Sequence, residues 1–249
     1  MHFSAFQDKI KMNWINSINV FLTYLESPHW QKQLLKGLLT TVEIACLGLL
    51  IGILIGTVIA IIRVAPKYKM IMRILDKVCS VYVAIFRGTP IVVQLLVAYY
   101  VLLPALGVKG VNSLNVGIVV FGMNSGAYVS EIMRSGIQSV DPGQMEAGRA
   151  VGLGYVPTML RIVAPQAIKN ILPTLGNEFI SLIKETSVVS FISVYDIYTV
   201  LHQIGDNSYG VMIPYLFLAL IYLVLVLIIS LGVKLLEKFL AKSDRRVKA

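Results

Sequence analysis

The chain has 249 residues, of which 57% are hydrophobic and 14% charged, and its mean hydropathy is +0.77. That balance excludes a soluble domain of this length and describes an integral membrane protein. The net charge of +9 does not indicate nucleic acid, because Lys and Arg sit beside apolar segments instead of forming an aromatic-laced basic surface.

No fixed-period repeat or low-complexity tract divides the chain, so one membrane domain is expected over 37–240, with an N-terminal lead over 1–36 and a basic tail over 241–249. In the lead, Phe6, Ile10, Trp14, Ile18, Phe21, Leu22 and Leu25 recur at helical spacing among Lys9, Lys11, Asn13 and Asn16. An amphipathic helix at the membrane interface fits this pattern, and a loosely ordered lead-in is the alternative. There is no apolar core followed by a small-residue cleavage site, so a removed signal peptide is not expected.

Residues 38–62 follow with Glu43 as their one charge, and 25 residues at about 1.5 Å each cross a hydrocarbon core of roughly 30 Å. A second span is predicted over 78–103, interrupted by Arg87 and Pro90, and a third over the uncharged 110–130. In the third, Gly122, Gly126 and Ser130 recur every four residues, which suits close helix packing within the subunit or across a dimer better than solute contact. A more polar fourth segment covers 166–195 and is expected to break at Pro173 and Gly176; an uncharged fifth covers 207–233. Cys46 and Cys79 form no metal or redox pattern and are read as small buried hydrophobes, while His2, His29 and His202 are too scattered for a metal site.

Positive charge sets the orientation. Arg63, Lys67, Lys69, Arg73 and Lys77 follow the first span; Arg134, Arg149, Arg161 and Lys169 lie between the third and fourth; Lys234, Lys238, Lys242, Arg245, Arg246 and Lys248 close the chain. All three groups belong in the cytoplasm, which puts the N-terminus outside, against the mild contrary pull of Lys9, Lys11, Lys32 and Lys36.

Between the third and fourth spans, 141–165 is polar and rich in turn residues. Asp141, Pro142 and Gln144 make a capping-box start, Gly152 falls where a left-handed stop is needed, and Gly154, Tyr155 and Pro157 begin a second helix expected to end at Pro165. Two short helices meeting at a glycine form a cytoplasmic knob. In the fourth segment Asn177, Glu178, Ser181, Lys184 and Glu185 share an arc of roughly 120° on an ideal helix. Charge at bilayer depth normally faces a cavity or a partner, so this stripe is read as lining a path for a polar solute, with a packing ion pair as the alternative. Arg87 is expected to reach the cytoplasmic interface or to pair with Glu43, Glu131 or Glu178.

The knob carries a family resemblance. Glu146-Ala147-Gly148, three residues, Gly152, nine residues, then Ile162-Val163-Ala164-Pro165 resembles the EAA loop of ABC importer permeases, with Gly148 and Ala164 departing from that pattern in identity and not in spacing. Phe86-Arg87-Gly88-Thr89-Pro90 with Gln94 is similar to the signature of permeases for polar amino acids, and so are Gly126-Ala127-Tyr128-Val129-Ser130-Glu131, Gly37-Leu38-Leu39-Thr40-Thr41-Val42-Glu43 and Lys184-Glu185-Thr186-Ser187. The likeness covers about 36–240. It implies an all-α permease of five transmembrane helices in a bacterial inner membrane. Its partners would be two ABC ATPase subunits, a second permease subunit, identical or paralogous, an extracytoplasmic solute-binding protein and a polar amino acid. Glu146, Ala147, Gly148, Arg149, Gly152, Leu153 and Pro165 would then form the element that docks on the ATPase. Arg87 and Glu131 would join the stripe along the translocation pathway.

The chain has no phosphate-binding G-x-x-x-x-G-K-[ST] loop, so it is not expected to hydrolyse ATP; ATP and magnesium belong to the partner ATPase. The competing function is an ion- or proton-coupled secondary transporter using Glu178, Lys184 and Glu185 as a relay. It would explain the stripe but neither the knob nor the lack of an inverted repeat.

Overall fold

The computed structural model describes residues 2–208 and 210–245, with side chains described over 14–208 and 210–240. The tail residues Arg246 and Lys248 lie outside the described residues, as do the side chains of His2, Phe6, Ile10, Lys242 and Arg245. Among the described residues every regular element is helical. In order these are α1 (His2–Glu26), α2 (Pro28–Val64), α3 (Met70–Gly88), α4 (Ile91–Leu96), α5 (Leu103–Ala105), α6 (Ser113–Gln138), α7 (Pro142–Ala150), α8 (Tyr155–Thr158), α9 (Ala164–Glu185), α10 (Ile197–Asn207) and α11 (Met212–Arg245). A π-helical stretch, Val97–Leu102, joins α4 to α5, another, Met159–Val163, joins α8 to α9, and a 3-10 helix, Thr186–Ile192, follows α9.

Among the described residues three helices are long and apolar enough to cross a membrane: Pro28–Val64, Ser113–Gln138 and Met212–Leu240. The predicted second span is not one rod. Met70–Gly88 and Ile91–Ala105 meet at 106°, because Pro90 supplies no N–H and holds Thr89 in extended backbone, so the helix stops and restarts. The first span also begins earlier than its apolar core: α2 starts at Pro28, a good first helical residue, and leaves no backbone break at 36–37. The last span begins later than expected, at Met212, because 197–207 folds as the separate helix α10.

Helices α2 and α6 form the centre. Gly48, Gly52 and Gly56 present a bare face every turn; a Cβ on Gly52 would lie 2.7 Å from the Ser125 Cβ, and one on Gly56 would lie 2.8 Å from the Ser130 nitrogen. From the other side Gly122 and Gly126 receive Ile51 and Ile55, so the small residues of the third span pack within the subunit. Ile44, Ala45, Phe121 and Leu95 are fully buried at this seam, which also takes in Leu182 and Ile183 of α9. A second cluster gathers Ile197, Val200, Leu201 and Ile204 of α10 with Leu218 and with Phe21 of α1. The N-terminal lead is thus helical to Glu26 and docked at its C-terminal end, while Trp14, Ile18 and Leu22 remain exposed. Cys79 is buried; Cys46 is exposed, contrary to expectation, because its side of α2 faces away from the α6 seam.

Candidate functional site

Asp141 opens the 141–165 corner as expected, its Oδ1 accepting the Gly143 N–H at 2.8 Å. The capping box itself does not form. Gln144 gives its backbone N–H to the Asp141 carbonyl at 2.9 Å, but its side-chain oxygen turns outward and accepts from Gln166 at 3.2 Å. At the other end of α7, Gly152 adopts φ +90°, and two hydrogen bonds close the turn: Gly152 N–H to Arg149 O at 3.0 Å and Leu153 N–H to Gly148 O at 3.1 Å. This is the paired-bond stop that a glycine permits and a side chain resists. Gly148 is buried, and a Cβ there would sit 2.4 Å from Thr158 Cγ2, so the bare face of α7 packs directly on the Thr158 side chain. Glu146, Ala147, Arg149 and Gly152 are exposed and Leu153 is half-buried.

The second helix does not end at Pro165. Helical structure runs unbroken from Tyr155 through Met159–Val163 and on to Glu185. The widened π turn precedes Pro165, which has no N–H to give, and absorbs the ring without stopping the helix. Pro173 and Gly176 do not break α9 either: Gly176 is a contact point, where a Cβ would meet Val233 at 2.4 Å. The interruption comes later, at Glu185, where the helix tightens to the 3-10 stretch. One continuous helical run of 31 residues, Tyr155 to Glu185, therefore joins the exposed corner to the polar stripe.

Across from that helical run α6 carries three buried polar side chains, Asn124, Ser125 and Ser130. The Ser125 hydroxyl donates to Glu178 Oε1 at 3.0 Å, so the stripe meets α6 through a neutral group. Asn124 donates to Gln94 Oε1 at 3.0 Å and to the Phe86 carbonyl at 3.3 Å. Gln94 in turn donates to the carbonyls of Phe86, at 2.8 Å, and Thr89, at 3.0 Å. Phe86 O is the carbonyl that Pro90 orphans, so Gln94 and Asn124 repair the end of α3 and hold the bend open beside Glu178. Next to them is a cavity of about 310 Å³ lined by Phe86, Thr89, Val93, Gln94, Val97 and Met123.

Comparison with known proteins decides the family. The family described as binding-protein-dependent transport system inner membrane component matches residues 34–242. The chain belongs to that family. It is 36% identical over 211 residues to the arginine transport system permease protein ArtQ of Bacillus subtilis, covering 85% of this chain and 94% of that protein. It is also 36% identical over 205 residues to a putative glutamine transport system permease protein, GlnP, of Rickettsia prowazekii, covering 82% and 91%. With the crystal structure of an amino acid ABC transporter with histidines it shares 37% identity and a TM-score of 0.78, covering 86% of this chain and 97% of that one. The MetNI methionine ABC transporter, at 18% identity and a TM-score of 0.67, shares the fold. As inner membrane component of an ABC importer, the chain is not itself the enzyme; ATP hydrolysis lies in a separate subunit.

Other predicted site residues of this inner membrane component are placed as follows. Glu178 and Ser181 are half-buried; Asn177, Lys184 and Glu185 are exposed in the isolated chain. Among the described residues Arg87 meets no carboxylate: it ends α3 at the bend, exposed, with its guanidinium 5.4 Å from the centre of the Tyr128 ring. The expected partner Glu131 is taken, bonded to Arg63 of α2 and, at 2.7 Å, to Arg134. Glu43 is exposed, twenty residues along α2 from Arg63. Asn124 carried no periodic signal in the sequence. Gln94 did, as the last letter of the FRGTP-x-x-x-Q run, and its spacing after Pro90 is what lets its amide fold back on the broken turn.

A Gln94→Leu variant leaves the Phe86 and Thr89 carbonyls without their strongest donor at nearly constant volume. The cost of such an unsatisfied group is about 1–3 kcal/mol, so the thermal midpoint is expected to fall by roughly 2–12 °C. Unchanged unfolding in detergent would mean that the bend is held by something other than this amide.

Proposed function

We propose that the chain is the permease subunit of an ATP-driven importer of polar amino acids, built on five membrane-crossing segments, with the N-terminus outside and the 141–165 corner and C-terminus in the cytoplasm. The observation that carries the reading is the continuous helical run from Tyr155 to Glu185. A motor gripping the corner would act on the polar stripe through this run, with no loop between the two. Relatives named for arginine, glutamine and cystine transport support a polar amino acid as cargo.

In this reading two ATPase subunits, which hold ATP and magnesium, dock on Glu146, Ala147, Arg149, Gly152 and Leu153. Gly148 and Pro165 shape the element behind them. Two permease subunits, identical or paralogous, pair in the membrane, and an external binding protein delivers the solute. Nucleotide-driven closure draws the corners together and rocks the spans between inward- and outward-open states. Asn177, Glu178, Ser181, Lys184 and Glu185 line the path, with Asn124 and Gln94 behind them. Glu178 is bonded to a hydroxyl and not to a cation, which leaves its charge for a substrate ammonium; Lys184 is available to a carboxylate. Arg87 stands at the bend beside this path, whereas Glu131 ties α2 to α6 at the level of Arg63.

Proteoliposomes holding the chain with its ATPase and binding protein should accumulate amino acid only when ATP is supplied; accumulation by the chain alone on an ion gradient would establish the secondary transporter instead. In the same assay Glu178→Gln should lower uptake of cationic amino acids about 10- to 100-fold, the value of one charge-assisted hydrogen bond of roughly 1.5–3 kcal/mol. Equal kinetics for cationic, neutral and anionic substrates would remove Glu178 from the path.

A further inference from the structure

Helix α3 has three unlike sides. Cys79 and Val83 are buried, packed with Ile59 of α2 and Ala127 of α6, and that side faces the bundle. Met70, Ile71, Ile74, Val78, Val81 and Ile85 fall within an arc of about 100° on a second side, and all are exposed. On the third side, next to the second, Lys69, Arg73 and Lys77 recur every fourth residue and are exposed as well. Tyr68, 87% exposed, stands just ahead of the helix.

The charges of this segment do not cancel. Residues 63–77 hold five cations, Arg63, Lys67, Lys69, Arg73 and Lys77, against one acid, Asp76. That acid is taken, its Oδ2 lying 2.5 Å from the Lys67 ammonium, and Arg63 is committed to Glu131. Arg73 gives its Nε–H to the Lys67 carbonyl at 3.2 Å, which leaves its charge uncompensated. Among the described residues Lys69, Arg73 and Lys77 meet no carboxylate.

Cations in a loop beside a span set orientation and need no ligand. What distinguishes these is the apolar side that adjoins them on the same helix. A side that is exposed and uncharged over about four turns lies in hydrocarbon once the chain is in a bilayer. Seating it there brings the adjoining row of cations, on their long apolar stems, within reach of the headgroups, with Tyr68 at the boundary where aromatic side chains gather.

We propose that the start of α3 is a binding surface for anionic phospholipid, with the headgroup phosphate against Lys69, Arg73 and Lys77 and an acyl chain along Met70, Ile74 and Val81. The competing occupant is a second copy of the chain. Packed face to face about a two-fold axis, it would set these cations against their own counterparts, since the face has no free acid. Headgroup phosphates supply the missing negative charge without that conflict. The assignment is independent of which way the chain crosses the membrane and of what it transports.

The test gives the purified full chain in detergent equal amounts of phosphatidylglycerol and phosphatidylcholine with matching acyl chains, and counts bound lipid by native mass spectrometry. Phosphatidylglycerol should be favoured at least about fivefold, the value of one cation at headgroup level. The preference should shrink as ammonium acetate is raised from about 0.1 to about 1 M, where charges are screened beyond roughly 3 Å. Lys69→Gln, Arg73→Gln and Lys77→Gln combined should bring the ratio close to one, while Lys234→Gln with Lys238→Gln, on the basic end of α11, should leave it unchanged. Should the triple variant not be recovered, Lys69→Gln and Lys77→Gln singly should each lower the ratio. Equal binding of the two lipids by the wild type, an unchanged ratio in the α3 variants, or an equal loss in the α11 variant would overturn the site. An unchanged ratio accompanied by loss of the chain pair would give the face to a second copy instead.

Discussion

A Gly152→Val chain is expected to insert and fold, yet to lose ATP-driven uptake. Gly152 is exposed, and a Cβ on it would have nothing within 4 Å, so the substitution creates no clash. The whole penalty is backbone: φ +90° is a conformation that a β-branched residue adopts only at a cost of about 1–2 kcal/mol. Spread over a bundle of this size that cost does not prevent folding. Concentrated at the corner, it opens the bonds from Gly152 and Leu153 to α7 and changes the angle between α7 and the helical run that follows, which is the shape a motor would have to grip. The ordering among substitutions is diagnostic. Asn, which tolerates left-handed backbone, should retain most uptake, Ala should fall between, and Val should be worst, with ATPase binding falling in the same order. Full uptake by the Val variant in proteoliposomes would show that the corner is not where force enters.

The same corner shows how far a sequence can be read. Turn chemistry is local, so Asp141 and Gly152 announced both ends of α7, and the uncharged run lengths announced α6 and α11. What failed was continuity. Pro165 and Pro173 were expected to stop or break a helix, because a proline by itself removes a hydrogen bond; a π turn ahead of one and a helix that simply continues through the other are tertiary outcomes with no sequence mark. Pro90, with the same chemistry, does bend its helix, by 106°, since Gln94 and Asn124 are placed to take the freed carbonyls.

The polar stripe was legible as periodicity, but its partners were not. That Glu178 meets Ser125 and that Glu131 belongs to Arg63 and Arg134 depends on which helices lie side by side. The small-residue stripe of the third span was visible. Its complement at Gly48, Gly52 and Gly56 is equally periodic but lies in so apolar a segment that hydropathy alone absorbed it. The start of α2 at Pro28 was hidden for the opposite reason: its first turns are too polar to register as span.

Of all single substitutions Gly52→Leu should damage the fold most. Here the glycine is required by approach and not by dihedral angle: a Cβ would lie 2.7 Å from both the Cβ and the hydroxyl of Ser125 and 3.1 Å from its backbone carbon. Backbone cannot yield as the end of a side chain can, and the seam is locked above and below by Gly48 against Phe121 and Gly56 against Val129. Overpacking of a well-filled core costs about 1–3 kcal/mol for a modest insertion, which sets the expectation for Gly52→Ala: a midpoint lower by roughly 2–12 °C. Leu adds three further carbons into the same space and should yield no monodisperse chain. The damage also has a direction, because pushing Ser125 away withdraws the hydroxyl that positions Glu178. Gly52→Ala combined with Ser125→Gly should therefore regain much of the stability lost by Gly52→Ala alone, since contacting residues couple, while uptake stays impaired for want of that hydroxyl. Additive losses in the double variant would mean that these two helices do not meet at this pair, and the polar cluster built on their contact would have to be placed elsewhere.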